Sequence, residues 1–275
     1  MTLILIRGGG DLASGAALRL HRVGFHVVIL ELEKPLAVRR TVSFSEAVYA
    51  GSCIVEGVTA RLASPDQFTG MYEAGEIPVL IDPNANILAN QLLINPQATV
   101  VVDARLTKQT PEPLPIKPAL HIGLGPGFRA GENCDAVIET RRSHTLGRVF
   151  WEGPAQSDSG QPEGDPRRVL RAPQDGFVIG RVQIGEHIEE GQLTAEIHSP
   201  PGNRKVKILS PFKGVLRGLI HPSVQVVKGM KIGDVDPRGD ASACYLVSDK
   251  SLAVGGGVLE AILIKLRMIK DDPFA

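Results

Sequence analysis

The start of the chain constrains the fold most, because it places a glycine-rich turn between a buried strand and a helix. Apolar runs at residues 3–6 and 27–30 are typical of buried parallel strands, and residues 13–20 repeat apolar side chains at helical spacing. A strand, a helix and a second strand of these lengths form a βαβ unit with a right-handed crossover. This start predicts an α/β fold with a Rossmann-like, doubly wound parallel sheet.

Further apolar runs at residues 77–81 and 99–102 continue the series of strands. Residues 109–118 then carry four prolines, which are too many for a helix interior or a central strand. This proline-rich segment predicts a linker between domains. We therefore predict a Rossmann-like domain that binds a nucleotide or cofactor over residues 1–116.

An internal repeat organises the second half of the chain. Residues 172–176 (APQDG) recur as residues 210–214 (SPFKG), and a glycine closes the turn that follows each copy. Two copies of strand, turn and strand predict a small closed β-structure like that of biotinyl and lipoyl carrier domains. We predict a β-rich domain over residues 117–250, with this barrel-sandwich repeat at about 168–248, and a C-terminal helix over 251–275 that docks on another element.

Composition narrows the classes of partner. The chain has 30 Lys+Arg against 30 Asp+Glu, so it lacks the basic surplus that drives nucleic-acid binding. Its three cysteines are far apart, which predicts neither a disulfide framework nor a zinc site. The apolar runs are shorter than a membrane span or the core of a signal peptide. We expect a cytoplasmic protein with no nucleic-acid partner, no membrane partner and no metal site.

The glycine turn near the start of the chain is the first candidate binding site. Glycines at positions 8 and 10 allow a pyrophosphate to approach backbone amides at the start of a helix. Glu31 ends the second strand, where an acidic side chain hydrogen-bonds the ribose of NAD-type ligands. Asp11 opposes a phosphate unless it caps the helix or holds a cation, and a tight turn without a ligand is the alternative. The residues predicted to bind the ligand here are Gly8, Gly9, Gly10, Asp11, Ala13 and Glu31.

A second group of candidates follows the later strands. Glycines at alternate positions form an anion nest or admit another chain closely. A downstream arginine suits bidentate phosphate binding and a histidine suits proton transfer near neutral pH, although a solvated edge strand explains both equally well. An aspartate and an arginine after residue 102 fall at the carboxyl edge of a parallel sheet, where ligands commonly bind, or form part of a turn. These candidates are Asp103, Arg105, Gly123, Gly125, Gly127, Arg141 and His144.

Four motifs in combination resemble one protein family. They are IRGGGDLASG at residues 6–15, PLAVRRTVSF at 35–44, IGLGPGF at 122–128 and GMKIGDVDPR at 229–238. Over almost its full length the chain resembles YqeB-type accessory proteins associated with selenium-dependent molybdenum hydroxylases. Its start, together with VVDAR at 101–105, also resembles the Rossmann part of maturation factors for xanthine and carbon monoxide dehydrogenases.

The resemblance implies a protein that assists molybdenum-hydroxylase maturation. The sequence shows no nucleophile with a paired base and no metal-ligand cluster, which favours this role over an enzymatic one. The glycine turn predicts a nucleotide or an NAD-like dinucleotide as the ligand, and the resemblance adds the molybdenum cofactor. The implied partners are the hydroxylase apoenzyme or other maturation factors. Two alternatives stay open: an NAD-dependent oxidoreductase, for which His144 is the best proton donor, and a non-catalytic scaffold. The sequence leaves the oligomeric state open.

Overall fold

The computed structural model describes residues 2–157, 164–199 and 204–270. The strands up to residue 154 are β1 (Leu3–Arg7), β2 (His26–Glu31), β3 (Ser52–Val55), β4 (Val58–Leu62), β5 (Ile77–Ile81), β6 (Thr99–Asp103), β7 (Leu120–Leu124), β8 (Arg129–Ala130), β9 (Ala136–Ile138), β10 (Val149–Phe150) and β11 (Gly153–Pro154). The later strands are β12 (Val169–Arg171), β13 (Gly176–Gly180), β14 (His187–Ile188), β15 (Leu193–Ser199), β16 (Arg204–Leu209), β17 (Gly214–Leu219), β18 (Gln225–Val226) and β19 (Lys231–Asp236). The α-helices are α1 (Asp11–Arg22), α2 (Ala47–Ala50), α3 (Phe68–Glu73) and α4 (Asp249–Lys270).

The largest sheet has nine strands in the order β10-β9-β7-β6-β1-β2-β5-β4-β3. Its inner strands, from β9 through β4 in that order, run parallel. The two edge strands, β10 and β3, pair antiparallel with their neighbours. The sheet is therefore mixed, and it continues past residue 116 through β7, β9 and β10.

The two faces of this sheet are covered differently. On one face, Ile4 and Val102 pack in a single apolar cluster with Ala16 of α1 and Val258 of α4. On the other face, the cover comes from the short helix α3 and from residues 82–98, which contain no α-helix. The sheet thus carries long helices on one face only.

The predicted doubly wound Rossmann sheet is therefore wrong. Such a sheet is parallel and carries crossover helices on both faces, whereas this sheet is mixed and its β5–β6 and β6–β7 crossovers contain no α-helix. The proline-rich residues 109–118 explain part of the difference. They lack the amide donors for a helix, yet they connect two parallel strands of one sheet. How the chain divides into independently folding domains stays a prediction.

The predicted closed barrel-sandwich is also wrong. The second half forms two separate four-stranded sheets, β12-β19-β17-β14 and β16-β15-β13-β18, around a shared apolar cluster. The two copies of the repeat place β13 in one sheet and β17 in the other. A Cβ on the repeated glycine would clash with a backbone carbonyl oxygen of the adjoining strand in both copies, His198 O at Gly176 and Asp236 O at Gly214. The repeat therefore encodes two close strand contacts.

Helix α4 packs along α1, and both helices use glycine at the contact. A Cβ at Gly15 would lie 2.5 Å from Ser251 Cβ, and a Cβ at Gly255 would lie 2.9 Å from Gly15 O. The end of the predicted C-terminal helix, residues 271–275, lies outside the described residues. Among the described residues, no helix has the length and apolar character that a membrane span requires.

Candidate functional site

The glycine turn between β1 and α1 is held in place by backbone hydrogen bonds. Gly8 has a φ of +89°, which favours glycine, and its amide donates to Leu30 O at 2.7 Å. Gly9 O accepts from the Ser45 amide at 2.9 Å. A Cβ at Gly9 would lie 2.8 Å from that same nitrogen, so the neighbouring chain requires a glycine here. The first two glycines of the turn therefore serve its packing.

Glu31 points back into this turn. Its Oε2 accepts from the Gly9 amide at 2.6 Å and its Oε1 accepts from the Leu32 amide at 2.7 Å. The residue is 7% exposed, and burial raises the pKa of its carboxyl group. Glu31 thus fixes the shape of the turn in this structure, while its contact with a ribose stays a prediction.

This burial predicts a pH-dependent contribution to stability. Because the folded protein raises the pKa of Glu31 above its ordinary value of 4.5, the stabilising effect is complete below that value and is lost as pH rises through the raised pKa. Glu31→Gln removes the titration. We expect the unfolding free energy of the wild type to fall relative to the variant as pH rises, by at most about 1.4 kcal/mol per pH unit. Urea unfolding of both proteins over a series of pH values measures this difference in unfolding free energy. A difference that stays constant with pH would contradict the prediction.

Gly10 and Asp11 form the part of the turn at the start of α1. A Cβ at Gly10 would have no neighbouring atom of the described chain within 4 Å, so the backbone is open to approach there. Asp11 does not cap the helix with its side chain. Its two oxygens accept instead from Arg39 Nη1 at 2.8 Å and Ser251 Oγ at 2.7 Å. Ala13 is buried against the sheet, so its side chain packs in the core and does not face the turn.

Two arginines of the motif at residues 35–44 make long-range contacts, and one of them, Arg39, connects the turn to the rest of the molecule through Asp11. Arg39, 7% exposed, also donates through Nη2 to Ala243 O at 3.1 Å and Leu246 O at 3.0 Å. Arg40 donates through Nε to Leu219 O of β17 at 3.0 Å. Neither arginine is among the residues predicted to bind the ligand. Their only signal was the adjacent pair of arginines within that motif.

A buried ion-pair cluster lies at the same carboxyl edge of the sheet. Asp103, which is fully buried, accepts from Arg7 Nη1 at 2.9 Å and from Arg105 Nη2 at 2.8 Å. Arg7 also donates through Nη2 to Pro83 O at 2.9 Å. Arg7 was not among the predicted site residues. It lies directly opposite Asp103 on the adjacent strand, so the pairing of β1 with β6 brings the two side chains together. The end of β6 comes close to the turn, because a Cβ at Gly8 would lie 3.5 Å from Ala104 O.

The second glycine loop is packed against protein. A Cβ at Gly123 would clash with the Phe128 ring, and one at Gly127 would lie 2.5 Å from Gln109 O. Gly125 has a φ of +86° and donates to Ile138 O at 3.2 Å. Close approach of another part of the chain, one of the two interpretations of this loop, accounts for these glycines. Their part in binding an anion stays a prediction.

The downstream candidates lie in a different environment from the glycine turn. The Arg141 amide donates to Glu139 Oε1 at 2.7 Å, which shapes the loop before β10. His144 lines a cavity of about 520 Å³ together with Gly147 and Glu260. The structure therefore brings Gly8–Asp11, Glu31, Asp103 and Arg105 to one edge of the sheet and places His144 in another cavity.

A larger cavity, of about 790 Å³, opens at the carboxyl ends of β4 and β5. Leu80 and Ile87 form apolar parts of its wall, and Asn86 and Asn90 supply amide groups. The chain leaving β5 is joined to the end of β2, since the Asp82 amide donates to Glu31 O at 3.1 Å. A cavity of this volume is large enough for a small ligand, and neither Glu31 nor the glycine turn lines it. Among the described residues, no cluster of three or more His, Cys, Asp or Glu side chains could hold a metal ion.

These features define an α/β protein in which a glycine turn and a buried ion-pair cluster meet at the carboxyl ends of parallel strands. No protein-family model matches the chain. The chain is 46% identical over 267 residues to a protein of Escherichia coli (strain K12) named "Uncharacterized protein YqeB", a match that covers 95% of this chain and 47% of that protein. The resemblance to YqeB-type proteins is therefore confirmed. The chain spans about half the length of the curated relative it matches.

Three solved structures show a weaker likeness. A succinylglutamate desuccinylase/aspartoacylase from Rhodobacter sphaeroides is 14% identical, with 30% of this chain and 29% of that chain covered and a TM-score of 0.24. The product-bound ectoine utilization protein EutE (DoeB) from Ruegeria pomeroyi is 9% identical, with 84% and 56% covered and a TM-score of 0.26. A succinylglutamate desuccinylase from Silicibacter sp. TM1040 is 16% identical, with 85% and 84% covered and a TM-score of 0.27. TM-scores this low carry no argument about this chain.

Proposed function

We propose that the chain is an accessory protein in the maturation of selenium-dependent molybdenum hydroxylases. In this proposal the glycine turn binds the diphosphate of a nucleotide-type ligand, either an NAD-like dinucleotide or a molybdenum cofactor with a nucleotide tail. The partner is the hydroxylase apoenzyme or another maturation factor. The observation that carries the proposal is the open backbone at Gly10, at the start of α1 and at the carboxyl edge of the parallel strands.

The charges around the turn support an anionic ligand. The first amides of a helix carry a partial positive charge, which attracts phosphate. Asp11 would repel a phosphate, but its ion pair with Arg39 offsets the negative charge.

The three cysteines are poorly suited to act as nucleophiles. Burial raises the pKa of the Cys53 thiol and of the Cys134 thiol to about 11. Burial also raises the pKa of Cys244 above its ordinary value. All three are therefore protonated near neutral pH, whereas a cysteine nucleophile reacts as the thiolate.

Gly10→Val tests the proposal directly. A valine side chain at this open position should leave the fold intact but block the approach of a diphosphate to the backbone. We expect calorimetry with ADP, NAD and cytidine diphosphate to show at least one ligand for the wild type, and its affinity to fall at least tenfold, or about 1.4 kcal/mol, in the variant. In the host, the variant should lower molybdenum-hydroxylase activity while the hydroxylase polypeptide stays at its normal level.

Two controls separate loss of binding from loss of folding. The melting temperature of Gly10→Val should fall only slightly, because valine is a poorer N-cap of α1 than glycine, and Gly10→Ala should retain part of the affinity because its side chain is smaller. Unchanged binding in Gly10→Val would remove the diphosphate site. Normal hydroxylase activity in a strain that lacks the whole protein, with and without selenium, would refute the maturation role.

A further inference from the structure

One lysine of the motif at residues 229–238 has no part in the function proposed above. Lys231 begins β19, next to Ile232, which packs in the apolar cluster shared by the two four-stranded sheets. Lys231 itself is half-buried. Lysine is rarely buried without a counterion, because removing an unpaired charge from water costs free energy. A lysine in this position is therefore expected to have an anionic partner.

The ammonium of Lys231 has no hydrogen-bond or ion-pair partner within the part of the chain that the structure describes. The nearby carboxylate of Asp234 is already used, since it accepts from Arg168 Nη1 at 2.8 Å and from Arg217 Nε at 2.9 Å. Burial outweighs the attraction of Asp234 and lowers the pKa of Lys231. Its Nζ is not fully enclosed, so a ligand can reach this unpaired charge.

Strand β17, which pairs with β19, lies against the residues that hold the glycine turn. A Cβ at Gly218 would lie 2.6 Å from Val38 O and 3.2 Å from the Arg39 amide nitrogen. The guanidinium of Arg39 in turn binds Asp11 at the start of α1. The carboxylate of Asp11 is also near enough to raise the pKa of Lys231 against the effect of burial. The start of α1 and the start of β19 are therefore neighbours in the folded protein.

We propose that Lys231 binds the diphosphate at the glycine turn, an inference that rests on the function proposed above. The amides at the start of α1 supply only a partial positive charge, and Asp11 offsets part of it. Lys231 adds a full positive charge that no carboxylate of the described chain pairs with. Lysine binds phosphate as a point charge, and the phosphate supplies the counterion that Lys231 lacks.

Lys231→Met tests the inference, because it keeps much of the length of the side chain and removes its charge. Calorimetry with ADP, NAD and cytidine diphosphate should show a ligand of the wild type whose affinity falls at least about tenfold in this variant. Lys231→Arg keeps the charge and should lose less affinity than Lys231→Met. Lys228→Met makes the same substitution at an exposed lysine between β18 and β19, and it should leave the affinity unchanged.

The stability of the unliganded protein separates binding from a structural role. Since the ammonium is half-buried without a counterion, Lys231→Met should unfold at a urea concentration no lower than the wild type does. A clearly lower midpoint would indicate a structural ion pair and overturn the inference. An affinity loss as large in Lys228→Met would overturn it too.

Failure of this inference differs from failure of the diphosphate site. If the wild type binds one of the three nucleotides and Gly10→Val does not, full affinity in Lys231→Met would overturn the role of Lys231 and leave the site in place. A wild type that binds none of the three would refute the site and the role of Lys231 together.

Discussion

Replacing Asp103 by alanine is expected to lower the free energy of unfolding by about 3–5 kcal/mol, since it leaves a buried cation without its counterion. Asp103 is fully buried and is the ion-pair partner of both Arg7 and Arg105. Arg7 is 3% exposed, and burial already lowers the pKa of its guanidinium. After the substitution, Arg7 keeps its hydrogen bond to the backbone carbonyl of Pro83, which does not supply a counterion. Urea unfolding followed by circular dichroism measures the loss.

Two further variants separate the buried charge from lost packing. Arg7→Met combined with Asp103→Leu removes both charges, and it should recover much of the stability because apolar replacements of buried ion pairs are often close to neutral. Glu189→Ala breaks an exposed ion pair with Lys213 and should change unfolding little. A loss in Asp103→Ala no larger than in this surface control would contradict the assignment of a buried, stabilising pair.

The local part of the fold follows from the sequence, because it depends on periodicity and on glycine. Strands β1 and β2 and helix α1 lie where the apolar spacing of residues 3–30 indicates. The fold class does not follow, because it depends on what covers each face of the sheet. Apolar runs indicate that β5 and β6 are buried, but they do not show whether a helix or irregular chain buries them.

For the candidate site, too, the contacts within one βαβ unit were predictable and the contacts between distant parts of the chain were not. The glycine turn and the acidic residue at the end of β2 belong to one βαβ unit, so their proximity follows from that unit. The contacts of Asp11 with Arg39 and Ser251 join parts of the chain separated by 28 and 240 residues. Such contacts depend on the packing of α4 and of residues 35–44, which local patterns do not specify. For the same reason Glu31 could be placed at the turn, but the direction of its carboxylate could not.

A substitution where α4 packs against the chain at Gly147 is expected to give the second large loss of stability. Gly257→Ala is expected to lower the free energy of unfolding by about 3 kcal/mol, the upper part of the range for overpacking. A Cβ at Gly257 would clash with the carbonyl oxygen of Gly147 and lie 3.0 Å from Ile138 Cγ2. A backbone carbonyl cannot rotate away as a side chain can, so the helix itself must shift.

Gly256→Ala is the matched control, because it makes the same substitution one residue earlier in the same helix. A Cβ at Gly256 has no neighbour within 4 Å outside the helix, so this variant should gain about 0.5–1 kcal/mol from the lower backbone entropy of alanine. Urea unfolding of the two variants should therefore give changes of opposite sign. Equal changes would show that α4 does not press against Gly147. If Gly257→Ala does displace α4, the bond from Ser251 to Asp11 is lost with it, and the start of α1 loses one of its two side-chain contacts.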